Sequence, residues 1–387
     1  MTEAFITPAL LIWARERNHL TIDAASKKLG ITEEKLASWE NGQARPTMRQ
    51  AQELAKKFRI PFGYLYLSSP PQEKLPLPDL RTIGDQPPIP PSPDFYDLLS
   101  DVLAKQEWYR EYKEDEGAEP LQFVARYTID DDISTVAKDI RETIGINDEM
   151  RKNAASGDEF FRDLVKASES IGILVLRSGV VGNDTRRILN VEEFRGFAIS
   201  DDLAPLVFIN SRDAKAAQIF TLAHEIVHIW IGQTGISKPD YRQPNYGNMI
   251  ERFSNRIAAE VLVPKDDFLI SWRPHRSVEQ NVQALRSRYW VSSIVILRQA
   301  LDTNQINWAI YQEYYDRLVG KPAPLSASGG GDFYNNLLAR NSATLINSLM
   351  AAMAQGRTTY REVASLLNVR LGTLAKIETH LYGAAIG

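Results

Sequence analysis

The sequence predicts a multidomain protein, mostly α-helical, with an α+β core. Three observations carry that prediction. At 387 residues the chain exceeds one ordinary domain. Helical periodicity dominates both ends, while strand patterns gather between residues 173 and 210. Two stretches break the chain: 68–93 holds nine prolines, and 322–333 holds the run "SGGG". The expected division is a five-helix bundle over 1–67, a proline-rich linker over 68–93, a mixed domain with a small sheet over 94–320, and a helical domain over 321–387.

Composition narrows the function classes. With 44% hydrophobic and 24% charged residues, the chain has the material of a soluble globular protein with sizeable cores. A net charge of −4 excludes general nucleic-acid coating, so any DNA contact has to be local. Cysteine is absent, which excludes disulfides, thiolate metal ligands and cysteine nucleophiles and suits a reducing cytoplasm. The N-terminus lacks a secretory pattern, and no run of about 18 apolar residues is present. A cytoplasmic protein with no membrane partner is expected.

The elements follow in order. Leu10, Leu11 and Ala14 mark a first helix, and "IDAASKKLG" a second that stops on Gly30. "TEEKLASWENG" is a third, with Thr32 as N-cap, Glu33 and Glu34 in its first turn and Gly42 past its end. "PTMRQAQELAKKF" opens on Pro46 and lines Ala51, Leu54, Ala55 and Phe58 along one face, and "PFGYLYL" closes the bundle. Residues 94–120 carry nine acidic against three basic residues and read as a helix with a solvated acidic face, an extension at the start of the mixed domain. Within that domain, "DEFFRDLVKASESIG" is a helix, and "ILVLRSG", "FRGFAIS" and "APLVFIN" are strands. In the last segment, "TTYREVASLLNVRLGTLAKIE" repeats a helix, a turn at Asn368 and a second helix. That layout suits either a plain helical cap or a second reading unit.

The chemistry gathers at "FTLAHEIVHIW", residues 220–230. On a helix over Ala216–Trp230, His224 and His228 project one turn apart from the same face, so both imidazoles can bind one zinc ion. Glu225 lies beside them, placed to take a proton from a metal-acidified water and pass it to a leaving amine. Catalytic zinc sites keep three protein ligands and an open position. Downstream, "IERFSNRIAAEVLVP" offers Glu251, 23 residues after His228, with Asn255 one turn on as a second-shell partner for a ligand histidine. Glu260 competes for the ligand role. Nine residues from Glu251, it points to the opposite side of that helix and is read as a helix-surface or ion-pair residue. An oxyanion stabiliser is also expected, with His275, Tyr241 and Tyr246 as candidates.

These segments resemble the ImmA/IrrE family of zinc metallopeptidases over roughly residues 121–320. The family's second helix follows a pattern like "E..AN.FAAELLMP", which Asn255, Ala258, Ala259, Glu260, Leu262 and Pro264 match, with Ser254 and Ile257 as mild departures. The resemblance implies a zincin-like domain in which His224, His228 and Glu251 hold zinc and Glu225 is the catalytic base. It further implies cleavage of a partner transcriptional repressor in stress or mobile-element control.

Residues 20–58 resemble the helix-turn-helix of phage-repressor-like (XRE-type) regulators through Leu20, Leu29, Gly30, Leu36, Trp39, Glu40, Gly42, Pro46 and Leu54. In such folds the second helix of the pair enters the major groove. The residues so placed are Thr32, Lys35 and Ser38, with Lys27, Lys28, Arg45 and Arg49 along the backbone. Glu33 and Glu34 oppose a polyanion, and Ile22 stands where many such readers carry glutamine. The bundle has ten basic against seven acidic residues, a slight excess for phosphate contact. It serves either operator DNA or protein docking, including a homodimer. Three functions follow. One is a zinc-dependent endopeptidase and regulator acting on a repressor-type substrate. Another is an antitoxin that neutralises a small PIN-like nuclease toxin and autoregulates its operon. The third is a DNA-binding regulator with an inert metal domain.

Overall fold

A computed structural model describes residues 2–80, 90–237, 249–319 and 332–383. The chain divides into two compact units: Met1–Pro76 with Ile89–Leu99, and Leu77–Pro88 with Ser100–Gly387. Among the described residues no helix is long and apolar enough to cross a membrane. Most of the 322–333 linker expectation lies outside the described residues.

The first unit contains α1 (Pro8–Arg17), α2 (Ile22–Leu29), α3 (Glu33–Glu40), α4 (Met48–Phe58) and a 3₁₀ turn over Phe62–Tyr66. Its helix starts are fixed by threonines. Thr21, Thr32 and Thr47 each accept a hydrogen bond from the third helical N–H, and Gln50 completes a capping box with Thr47. Gly30 ends α2 in the left-handed conformation, φ 73°, which glycine adopts without a Cβ penalty. Leu11, Ala25, Leu36, Trp39, Leu54 and Phe58 close a shared core. Buried Glu40 receives Arg15 Nε and Nη2 at 2.8 and 3.1 Å, a bidentate pair joining α1 to α3.

The boundary between units falls within α5 (Pro93–Asp115). The acidic stretch is therefore helical, but it is more than a solvated face. Leu99, Val102, Lys105, Gln106 and Tyr109 are buried, and Gln106 Nε2 donates to the Ala204 carbonyl at 3.3 Å.

The second unit continues with α6 (Ile133–Ile144), α7 (Asp148–Asn153) and α8 (Gly157–Ser170). Next come β1 (Leu174–Ser178), β2 (Val180–Val181), β3 (Asp184–Ile188), β4 (Gly196–Ile199), β5 (Leu206–Asn210), α9 (Lys215–Trp230) and β6 (Gly235–Ser237). The four-stranded sheet runs β1-β5-β4-β6, with β1 and β5 parallel and both other pairings antiparallel. The three strands expected from sequence are β1, β4 and β5; the β2–β3 hairpin and β6 are additions. Every residue of α9 from Gln218 to Trp230 is buried, because the helix lies against β4, β5, α8 and α10 (Met249–Leu262). Its apolar side chains run around the whole helix, as a fully enclosed helix requires.

Then follow α11 (Lys265–Ser271), α12 (Val278–Tyr289), α13 (Ser293–Asp302) and α14 (Trp308–Val319). The chain ends with α15 (Phe333–Asn341), α16 (Ala343–Ala354), α17 (Tyr360–Leu366) and α18 (Leu371–Tyr382). The expected turn between the last two is present, with Asn368 at φ 55°. These final helices join the second unit: α15 packs on β1, and Asp101 accepts from both Asn368 Nδ2 and buried Lys105 Nζ at 2.6 Å.

Candidate metal centre and helix-turn-helix

The buried helix α9 presents His224 and His228 one turn apart, and α10 brings Glu251 to them from its first turn. A carboxylate is electrostatically favoured at a helix N-terminus. The two Nε2 atoms are 3.0 Å apart. Glu251 Oε2 is 3.2 Å from His224 Nε2, and Oε1 is 3.2 Å from His228 Nε2. All three side chains are buried, and their donor atoms lie within 4.8 Å of one another.

This donor set fits a metal ion. A tetrahedral ion with ligands at about 2.0–2.1 Å places neighbouring donors roughly 3.3 Å apart. The charge argues the same way. Two imidazoles and a carboxylate form a buried anionic centre, and no lysine or arginine pairs with Glu251 among the described residues. A buried charge without a partner is costly, and a cation supplies the partner. Burial by itself would raise the Glu251 carboxyl, but the two imidazoles outweigh it and hold that group well below the usual carboxylate range. Burial pushes the His228 imidazole down, which favours the neutral form that ligates metals.

Glu225 is fully buried one residue after His224, and neither carboxyl oxygen has a hydrogen bond among the described residues. Burial, then the nearby Glu251 charge, push its carboxyl well above the usual range. Its place is made by Gly196. A Cβ there would lie 2.6 Å from Thr221 Cγ2, 2.8 Å from Glu225 Oε1 and 3.0 Å from the Phe208 carbonyl oxygen. Strand register sets Gly196 between Ile209 on β5 and Ser237 on β6. The Ser237 hydroxyl, also buried, reaches His228 Nε2 and donates to Glu251 Oε1, both at 3.3 Å. Gly196 and Ser237 were missed by sequence reading, since both meet the helices only through strand pairing.

The other expectations divide. Asn255 lies one turn along α10 from Glu251, but its Oδ1 and both ligand Nδ1 atoms are buried without hydrogen-bond partners among the described residues, so the expected bond is not made there. Glu260 is not among the three grouped donors, and among the described residues it makes hydrogen bonds and no ion pair. It is half-buried and accepts from the Lys265 N–H at 3.0 Å and from Gln299 Nε2 at 3.2 Å, holding the turn into α11. The end of α10 is gripped by two arginines: Arg141 Nη1 donates to the Glu260 carbonyl at 2.8 Å, and Arg151 Nη2 to those of Val261 and Leu262 at 3.3 and 3.1 Å. His275 is exposed between α11 and α12, and Tyr241 and Tyr246 lie outside the described residues.

In the first unit, α2, the turn at Gly30 and α3 form the expected pair. Thr32, Lys35 and Arg49 are exposed. Several candidate contacts are engaged locally. Lys27 pairs with Asp23 at 2.7 Å, the Ser38 hydroxyl donates to the Lys35 carbonyl at 2.7 Å, and the Thr32 hydroxyl caps α3. Arg45 stacks over Phe5 at 4.1 Å. Lys28 is pushed down by burial and by the neighbouring Arg59.

Comparison with protein families agrees with this geometry. The model described as an IrrE N-terminal-like domain, of the M78 peptidases, matches residues 168–300, and a helix-turn-helix model matches residues 11–65. No curated protein and no solved structure matches the chain. Residues 11–65 thus carry a helix-turn-helix domain, and residues 168–300 an IrrE N-terminal-like domain.

Proposed function

We propose that this protein is a zinc-dependent endopeptidase and regulator, whose substrate is a repressor-type protein and whose N-terminal domain binds operator DNA. The observation that carries the reading is the convergence of His224, His228 and Glu251 beside Glu225 in one buried centre. When bound, the ion supplies Lewis acidity, acidifying water and polarising a peptide carbonyl. The chain's own residues do the rest. The two imidazoles and Glu251 present neutral nitrogen and anionic oxygen donors. Ser237 holds Glu251 Oε1 in place through its hydroxyl. Glu225, seated in the space left by Gly196, receives a proton from water and returns it to the leaving amine. Glu225 is fully buried, so it works with little competing hydration.

The test is to mix the zinc-loaded chain with the repressor encoded beside its gene. Cleavage by the wild type and none by Glu225→Gln is expected. Absence of cleavage by a chain shown to carry zinc overturns the endopeptidase, leaving a regulator with an inert metal domain. Cleavage that survives Glu225→Gln removes Glu225 from its role.

A further inference from the structure

One edge of β6 pairs with β4, and the other is covered by a piece of the proline-rich stretch. The Ile236 N–H donates to the Pro78 carbonyl at 3.0 Å, and the Leu80 N–H donates to the Ile236 carbonyl at 3.0 Å. Together they make a parallel bridge between Asp79 and Ile236. Leu80 seats on Gly235: a Cβ at 235 would stand 2.4 Å from Leu80 Cδ1 and 2.6 Å from Cγ. Gly235 has no left-handed backbone conformation to explain the glycine. The close approach of Leu80 does explain it.

We propose that this outer edge of β6 is a strand-addition site for an extended peptide, and that Leu77–Leu80 is its resident, displaceable occupant. The site takes a peptide whose backbone pairs with Ile236 and whose aliphatic side chain fills the notch over Gly235. That the peptide is a substrate rests on the endopeptidase reading above; that it binds does not.

Three features support exchange. First, proline lacks an N–H, and prolines at 76 and 78 withhold two donors from pairing. The resident segment therefore makes a single bridge where an ordinary extended peptide, with a donor at every residue, can make a longer ladder. Second, only two backbone hydrogen bonds, both to Ile236, hold the resident segment on this edge among the described residues, so little has to be broken. Third, the edge leads to the metal centre. Ser237, the next residue of β6, has its hydroxyl 3.3 Å from both His228 Nε2 and Glu251 Oε1. A chain lying along β6 runs beside those ligands.

The experiment is hydrogen exchange on the full chain, in wild type, Leu80→Asp and Gly235→Val, with and without the synthetic peptide LPLPDL. In the wild type the Ile236 amide is protected. In Leu80→Asp it exchanges at least tenfold faster, while amides of β4 and β5 keep their wild-type rates. Saturating peptide restores its protection. Gly235→Val fills the notch, so Ile236 is exposed there too, and the peptide does not rescue it. Unchanged Ile236 exchange in Leu80→Asp, or failure of the peptide to protect that variant, overturns the proposal. So does rescue of Gly235→Val by the peptide. Peptide protection without cleavage of any peptide by the zinc-loaded chain overturns the endopeptidase reading instead.

Discussion

Replacing Gly196 with alanine tests how tightly the Glu225 carboxyl, the proposed base, is placed. The new Cβ stands 2.8 Å from Glu225 Oε1, where an ordinary contact begins at 3.4 Å, so that oxygen has to retreat by about 0.6 Å. Thr221 Cγ2, at 2.6 Å, has to give by about 0.8 Å, and the Phe208 carbonyl at 3.0 Å is backbone and gives least. Overpacking of this kind costs about 1–3 kcal/mol. For a domain of this size, each kcal/mol lowers Tm by roughly 2–4 °C. A misplacement of about 1 Å at a reacting group costs roughly a hundredfold in rate, so about 0.6 Å predicts a loss of tenfold or more in kcat/KM. The three atoms nearest the new methyl group belong to Thr221, Glu225 and Phe208, none of them a candidate metal ligand. Zinc content should therefore stay at the wild-type level while cleavage of the repressor falls and Tm drops. An alanine variant with wild-type cleavage and wild-type Tm would refute the reasoning, because the glycine would then be doing nothing for Glu225.

Further predictions extend to the rest of the chain. Arg151→Ala removes the guanidinium that holds the Val261 and Leu262 carbonyls and should cost roughly 2–4 kcal/mol in urea unfolding. Thr32→Ala removes the cap of α3 and should cost about 1 kcal/mol. Arg49→Ala on the exposed start of α4 should weaken operator retention in a gel shift and reduce the salt slope by about 1. Lys105 is buried, and desolvation lowers its pKa below 10.5 despite Asp101. Between that lowered value and 10.5 the unfolded chain binds more protons than the folded one, so stability rises with pH across that window. Lys105→Met should flatten the rise, read from thermal unfolding across alkaline pH.

How much of this was legible in the sequence depends on how local the signal is. The candidate ligands His224 and His228 were readable because helical spacing alone puts them on one face. The threonine caps and Gly30 announced the N-terminal helices for the same reason. Ser237 and Gly196 were not readable. Each reaches the centre only after β4, β5 and β6 pair in one register, and β6 is three residues long, too short to show a period of two. Leu77–Leu80 read as linker because prolines dominate it, and its one bridge depends on an edge formed about 155 residues later. That Glu260 holds the turn into α11 was not readable, because a carboxylate serving a turn has the same helical position as any other on that face. Lys105 sat in an acidic run, and only packing within the second unit shows it buried.

The most direct test of the account is the zinc content of the purified full chain, measured by elemental analysis beside two variants. About one zinc ion per chain is expected in the wild type and in Glu225→Gln, and less than about a tenth of that in Glu251→Ala, which keeps two of the three candidate ligands. A zinc-loaded Glu251→Ala chain, or a wild type that takes up no zinc, would contradict it.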